Sequence, residues 1–479
     1  MEIRKLPIPR PTFHFTPQSN WMNDPNGLVF DRGLWHLYFQ YNPEGPDWGN
    51  MSWGHASSTD LQNWTEHPVA LPYRQGEQIY SGSVVATQTN GDSLLTAYYT
   101  SAFENGRQAQ SRATSSDGGF TWEQDPQNPV LDRGTNAFRD PKVIRYTDDH
   151  GDFRWIMLAV EAEDRQVLFY HSTDLRSWTH QSTFGPLGDD RVVWECPDLV
   201  PLPVDDDPNN IKWVLFISKN PVGEDADPDG SSMSYIIGDF DGTAFTTETT
   251  ELLRLDHGRD FYAGVTFDNA PGNAAIMIAW MSNWRYAGAF PSAPWRGSMS
   301  LPRQLSLRTS AGVARLVQEP PEFIRTSLAE SQPVPRLDTA QPLSFAVSGH
   351  SLIDLRWDPA STGTLRLKLQ GDADAQVSIE HSPTSGALHL TRQGRDTQAV
   401  HADFPSTSTV PLDGTAPVRL LLSLDGPLLE VFVNDGESTV SNLVVLGSGT
   451  VTAMITTDEP GQVAVAMINI PALDCARQD

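Results

Sequence analysis

This sequence is short of cysteine, of positive charge and of long apolar runs, and each shortage closes off a class of protein. Only two cysteines, Cys196 and Cys475, occur in 479 residues, so no disulfide framework holds the chain together. Sixty acids against 33 bases leave a net charge of −27. Such a surface repels a phosphate backbone, which removes nucleic acid from the expected partners. No run approaches the ~20 apolar residues of a membrane span, so no membrane partner is expected either. The opening "MEIRKLPIPRPTFHF" has no apolar core of signal-peptide length. As given, the chain reads as cytoplasmic, although a chain trimmed of a leader would look the same. Oligomeric state is open. Helical periodicity is scarce too, and 36 Pro with 36 Gly interrupt the chain. What remains is a soluble, globular composition, in a chain too long for one ordinary core.

A repeat supplies the organisation. Five strongly β-like segments begin at Leu34 ("LWHLYFQYN"), Leu94 ("LLTAYYTSA"), Arg154 ("RWIMLAVEA"), Lys212 ("KWVLFISKN") and Ala274 ("AAIMIAWMSN"), at steps of 60, 60, 58 and 62 residues. A turn marker, "STDLQNW", "SSDGGFTW" and "STDLRSW", sets Asp60, Asp117 and Asp174 at steps of 57, and "GDFDGTAF" from Gly238 is a degenerate further copy. A fixed period with several short strands per unit predicts an all-β fold, a five-bladed β-propeller around one axis. From about Gln318 the texture changes to a Pro-rich connector and then to segments such as "TLRLKLQ", "VRLLLSLD" and "QVAVAMINI". Their period-two alternation predicts a C-terminal β-sandwich. The expected domains are 1–317, a connector over 318–340, and 341–479.

Upstream of each repeat segment lies another strand candidate. These carry Asp24 in "MNDPNGLVF", Ser81 in "YSGSVVA", Asp140 in "RDPKVIR", Glu195 in "WECPDLV" and Asp260 in "RDFYAGVTF". Near-equivalent positions on the innermost strands converge at one end of the axis, so Asp24, Asp140 and Glu195 are expected to share a pocket. Carboxylates facing a pocket with tryptophans nearby suit glycoside hydrolysis, whose oxocarbenium-like transition state needs one carboxylate at the anomeric carbon and one acid at the leaving oxygen. Trp21, Trp48, Trp53 and Trp284 could stack on sugar faces, and Asn23, Gln40, Ser81 and Arg139 could meet hydroxyls. For any single Trp, core packing is the competing explanation; for Arg139–Asp140 it is a structural ion pair. The chemistry requires no cofactor and no metal. "GEDADPDG", Gly223 to Gly230, lacks the full ligand spacing of a calcium loop and reads as a solvated acidic loop.

The same residues carry a resemblance. "WMNDPNG", "FRDP" and "WECPDL", together with "YSGS", "GRDFYAG", "SNW", "PWRGSMSLPRQLSL" and "LEVFVNDG", are similar to the blocks of glycoside hydrolase family 32, the β-fructosidases. That resemblance implies a five-bladed propeller plus sandwich. It also implies Asp24 as nucleophile, Glu195 as general acid/base and Asp140 as the holder of fructose hydroxyls. Asn23, Gln40, Trp48, Tyr80, Ser81, Arg139 and Trp284 would line the fructosyl site. Tyr80 stands where many relatives have Phe. "WGNMSWGHASSTDLQNW" resembles the exo-inulinase and levanase branch more than the cytoplasmic invertases. The implied activity is exo-acting, retaining release of fructose from inulin and levan, and from sucrose.

Three rivals stay open at this point. "SSDGGFTW" fits the sialidase Asp-box, but a sialidase needs an arginine cluster for an acidic sugar and a tyrosine nucleophile, and the net charge of −27 and the three carboxyl blocks argue against it. A fructosyltransferase would share every catalytic residue. A non-catalytic sugar-binding propeller would not need both Asp24 and Glu195.

Overall fold

The computed structural model describes residues 8–89, 92–148, 150–223, 227, 229–329, 336–338, 341–414 and 416–469. Cys475, part of the connector and residues 224–226 and 228 of the acidic loop lie outside them. The fold is all-β: a β-propeller followed by a β-sandwich, with only short helices between strands.

Each of the five repeat segments forms a strand that pairs antiparallel with the strand just upstream of it. The five upstream, or lead, strands are Asn20–Asp31, Glu77–Thr89, Phe138–Thr147, Val192–Val204 and Tyr262–Thr266. The first three head separate sheets, and the last two belong to one nine-stranded sheet. Its halves meet where Val204 pairs in parallel with Leu307. This joining was not expected from the repeat, because a single long-range bridge leaves no local pattern.

Apolar side chains pack sheet upon sheet. Tyr38 and Trp53 of the first meet Val84 and Tyr99 of the second. Val85 and Tyr98 meet Phe138 and Met157 of the third. Leu158 and Phe169 meet Trp194 and Leu215, and Val200 and Phe216 meet Met277 and Leu305. Finally Val265 and Ile278 pack back on Met22 and Phe39 of the first sheet. The turn markers are structural. Asp60, Asp117, Asp174 and Asp241 each accept two backbone N–H groups two to four residues on, which fixes a tight Asx turn. The Asp-box pattern is thereby explained by folding alone.

The connector contains a helix, Glu322–Ala329, that its proline content concealed. Beyond it two six-stranded antiparallel sheets enclose a core of Leu, Ile and Val. Buried charges join sandwich to propeller. Arg303 pairs with Asp256 at 2.9 Å and with Glu430 of the sandwich. His14 bridges Asp425 at 2.8 Å and Glu430 at 2.9 Å. Among the described residues no helix is long and apolar enough to cross a membrane.

Candidate active site

The lead strands share a defect at one level. Antiparallel register breaks between Met22 and Pro25, between Tyr80 and Gly82, opposite Leu158–Val160 in the Asp140 strand, between Glu195 and Asp198, and between Tyr262 and Val265. A bulge adds a residue to one strand and re-aims the side chain beside it. Asp140, Cys196 and Ala263 accordingly adopt φ of 61°, 46° and 54°. The glycines of two motifs follow from the same crowding. Gly27, at φ 51°, would place a Cβ 2.8 Å from Val84 and 2.9 Å from Trp53. At Gly82 a Cβ would lie 2.0 Å from the Tyr98 carbonyl oxygen.

These bulges bring the three expected acids together. Asp24 accepts hydrogen bonds from Asn23 Nδ2 at 2.9 Å and Ser81 Oγ at 2.7 Å. Asp140 accepts the Cys196 N–H at 2.9 Å. The Cys196 thiol lies between the two carboxylates, 3.5 Å from Asp24 Oδ2 and 3.7 Å from Asp140 Oδ2. Cys196 directly follows Glu195 in sequence, but its thiol faces Asp24 and Asp140. Glu195 is gripped at both oxygens. Arg139 donates to Oε1 through Nε at 3.2 Å and Nη2 at 3.0 Å, and Tyr262 donates its hydroxyl to Oε2.

Burial dominates the electrostatics. It raises the Asp24 carboxyl above its ordinary value, against the hydrogen bonds of Asn23 and Ser81. It pushes Asp140 up to about 7, with Arg139 opposing and Glu195 reinforcing. It also raises the Cys196 thiol, helped by the adjacent carboxylates, so the sulfur stays protonated. Burial opposes the charge on Arg139, but the Glu195 and Asp140 carboxylates outweigh it and hold the guanidinium's pKa above its ordinary value.

Around this centre the other expected residues divide. Trp21, Trp280 and Trp284 form one aromatic group, with Trp21 and Trp284 stacked at 6.0 Å and 25°. Trp48 is 47% exposed at the rim and meets Tyr80 edge-on at 6.0 Å. Gln40 is buried and donates to the Ile79 carbonyl at 3.1 Å. Trp53 is a core residue, fully buried with its indole N–H on the Tyr80 carbonyl. Asp260 does not join the ring. It pairs with Arg392 of the sandwich at 2.7 Å and accepts the Tyr286 hydroxyl at 2.7 Å. The fifth lead strand contributes Tyr262 instead. A signal for it existed: "YAG" at Tyr262–Gly264 repeats the Y-x-G of "YSG" at Tyr80–Gly82. In the acidic loop, Asp229 lies by Arg254 and Arg259, at 3.4 and 3.6 Å.

Carboxylates grouped beside a cluster of indole rings that packs on Cys196 and Tyr262 suit a glycosidase. Comparison with known proteins then narrows the class. The Glycosyl hydrolases family 32 N-terminal domain matches residues 14–320, and the Glycosyl hydrolases family 32 C terminal domain matches residues 320–459. The chain belongs to glycosyl hydrolase family 32. It is 38% identical to the levanase of Bacillus subtilis (strain 168) over 91% of this chain, and spans 66% of that protein's length. It is also 38% identical to invertase 2 of Saccharomyces cerevisiae (strain ATCC 204508 / S288c), over 78% of this chain and 71% of that one. The crystal structure of exo-inulinase from Aspergillus awamori superposes with a TM-score of 0.88 at 32% identity, covering 98% of this chain and 100% of that one.

Proposed function

We propose that the chain is an exo-acting, retaining β-fructosidase that releases terminal fructose from inulin, levan and sucrose. The observation that carries this reading is the joining of Asp24, Asp140 and Glu195 around one protonated thiol and one guanidinium. The names of its relatives, a levanase, an invertase and an exo-inulinase, support the substrate class.

In this mechanism Glu195 gives its proton to the glycosidic oxygen while Asp24 attacks the anomeric carbon from the opposite face. A covalent fructosyl–enzyme forms and the leaving sugar departs. Glu195 then takes a proton from water, which displaces Asp24 with net retention. Asp140 and Arg139 hold fructose hydroxyls, Asn23 and Ser81 orient the nucleophile, and Trp284, Trp48 and Tyr80 wall the sugar. Gln40 acts by fixing the strand that carries Tyr80. Five blades are supported by the closed circuit of apolar packing from the first lead strand back to itself, with the nine-stranded sheet counted as two. The division into a catalytic propeller and a sandwich after a connector is supported by the family match, which changes domain at residue 320.

Asp24→Asn tests the assignment. Its kcat should fall by about 10⁴-fold, the scale of losing a catalytic nucleophile, while circular dichroism stays that of the parent. A folded variant with near-parental turnover refutes it. A product time course on sucrose, inulin and levan tests exo action: fructose should appear from the first minutes, and transfer would show as oligosaccharides longer than the substrate.

A further inference from the structure

The segment that enters the fifth lead strand is built against the sandwich. Residues 256–260 meet Ser438–Leu443, the edge strand of one sandwich sheet. The His257 N–H donates to the Thr439 carbonyl at 2.8 Å and the Asp260 N–H to the Ser441 carbonyl at 3.0 Å. In return, Asp256 accepts the Ser441 N–H at 2.9 Å and its hydroxyl at 2.8 Å. The approach is close enough to exclude a side chain at Gly258, where a Cβ would lie 2.0 Å from the Ser441 carbonyl oxygen. Open groups on a sheet edge thus find their partners in the propeller.

Arg392, on the strand Ala387–Gln393 of the other sandwich sheet, clamps the end of this segment. Its guanidinium is buried and reaches acceptors on four residues. Nη1 donates to Asp260 Oδ2 at 2.7 Å and to the Leu443 carbonyl at 2.8 Å. Nη2 donates to the Tyr286 hydroxyl at 2.6 Å, and Nε to the Phe404 carbonyl at 2.5 Å. Asp260 also accepts the Leu443 N–H at 2.8 Å and the Tyr286 hydroxyl at 2.7 Å. A lysine in the same space would keep the charge, but its ammonium lacks the planar fork that spans so many partners. The next residue is held as well: the Arg303 guanidinium, paired with Glu430 of the sandwich, lies 4.0 Å over the Phe261 ring.

Tyr262 comes two residues after Asp260, and its hydroxyl is the donor to Glu195 Oε2. Its own strand does not fix it firmly. Register breaks between Tyr262 and Val265, and Ala263 stands at φ 54°, so ladder pairing stops where the ring must be aimed. A buried ion pair offsets its desolvation only in good geometry and adds little net stability, which makes Arg392–Asp260 better suited to locating the chain than to strengthening it. We propose that Arg392 is a positioning residue for catalysis: through Asp260 it sets the Tyr262 hydroxyl against Glu195. The sandwich thereby takes part in the chemistry of the propeller. The proposal rests on the reading of Glu195 as the acid that protonates the leaving sugar.

The test uses the leaving group. Arg392→Lys keeps the charge beside Asp260 and gives up the fork. Its kcat on sucrose should fall roughly three- to tenfold with KM unchanged, part of what deleting the Tyr262 bond itself removes. A nitrophenyl β-fructofuranoside departs with little need of a proton, so there kcat/KM should stay within about twofold of the parent. In a Tyr262→Phe background, Arg392→Lys should lower turnover of sucrose by less than about a further twofold, because the bond it guides is already gone. An equal fall on both substrates overturns the proposal, since a merely structural defect acts that way. So do losses that simply add to those of Tyr262→Phe, an unchanged kcat on sucrose, or a change confined to KM. If Arg392→Lys does not fold, Tyr286→Phe must show the same leaving-group-selective fall, because it removes a partner of both Arg392 and Asp260. Failure of the parent protein to release fructose from either substrate would refute the underlying reading instead, and is a distinct result.

Discussion

Asp140 sits under opposing pulls: burial favours its neutral form and Arg139 its charged form, and burial wins, leaving its pKa at about 7. For an acid whose folded value exceeds its ordinary 3.8, the folded state holds a proton that the unfolded state has lost between those values. Stability therefore falls as pH rises from about 4 to about 7. Asp140→Asn removes that term, so its melting temperature should exceed the parent's by a margin that grows across this window, while activity collapses. A constant margin, measured by thermal denaturation at stepped pH, would contradict the burial argument. Tyr262 invites a second substitution. Tyr262→Phe keeps the ring and deletes one hydrogen bond to Glu195. Bonds to charged groups contribute about 1.5–3 kcal/mol, so kcat/KM should fall roughly 10- to 100-fold, mainly in kcat. Steady-state kinetics on sucrose checks it. Asp24, Asp140 and Glu195 were legible because each stands in a turn-rich motif ahead of a strong strand. Tyr262 was not, because the search for a polar residue stopped at Asp260, two positions early, where the charge serves the domain junction. Gln40 was expected to line the fructosyl site; its hydrogen bond to the Ile79 carbonyl was not legible, because that carbonyl lies 39 residues away on the second lead strand.

The bulged lead strand is the element that turns a repeat into a site. Its unusual backbone has a local requirement at Ala263, fully buried at φ 54° beside Tyr262. A left-handed residue with a Cβ costs about 1–2 kcal/mol, and a β-branched one is worse placed still. Ala263→Gly should therefore hold or slightly raise stability. Ala263→Val should cost more than about 2 kcal/mol and lower kcat, because the bulge that aims Tyr262 would have to reshape. Urea denaturation of both variants beside the parent decides it, and equal stability would show that the bulge is not set by φ. The β segments themselves were readable in advance, since alternation and spacing are local properties. The bulges were not: an inserted residue changes which face each side chain takes without changing composition. The helix Glu322–Ala329 was hidden for the converse reason, because Pro320 and Pro321 immediately precede it and gave the whole connector the look of a linker.

At the scale of the whole molecule, one buried imidazole contributes to how stability changes at alkaline pH. His14 is buried between Asp425 and Glu430; burial opposes its charge, the two carboxylates overcome that, and its pKa rises to about 9. A raised base stabilises fully below its ordinary value of 6.5, and the contribution is lost as pH climbs through about 9. The parent should lose melting temperature between those limits, and His14→Gln should be less stable at pH 6 but flatter above it. Parallel curves for the two proteins would remove His14 from the account. The carboxylate that holds this imidazole also accepts the backbone N–H groups of Thr12, Phe13 and His14, across more than 410 residues of sequence. During synthesis the strap leading into the first blade thus leaves the ribosome long before its anchor exists. Contacts so distant in sequence slow folding and leave sheet edges exposed meanwhile. The nascent propeller must wait, with its opening strap unanchored, until Asp425 has been translated.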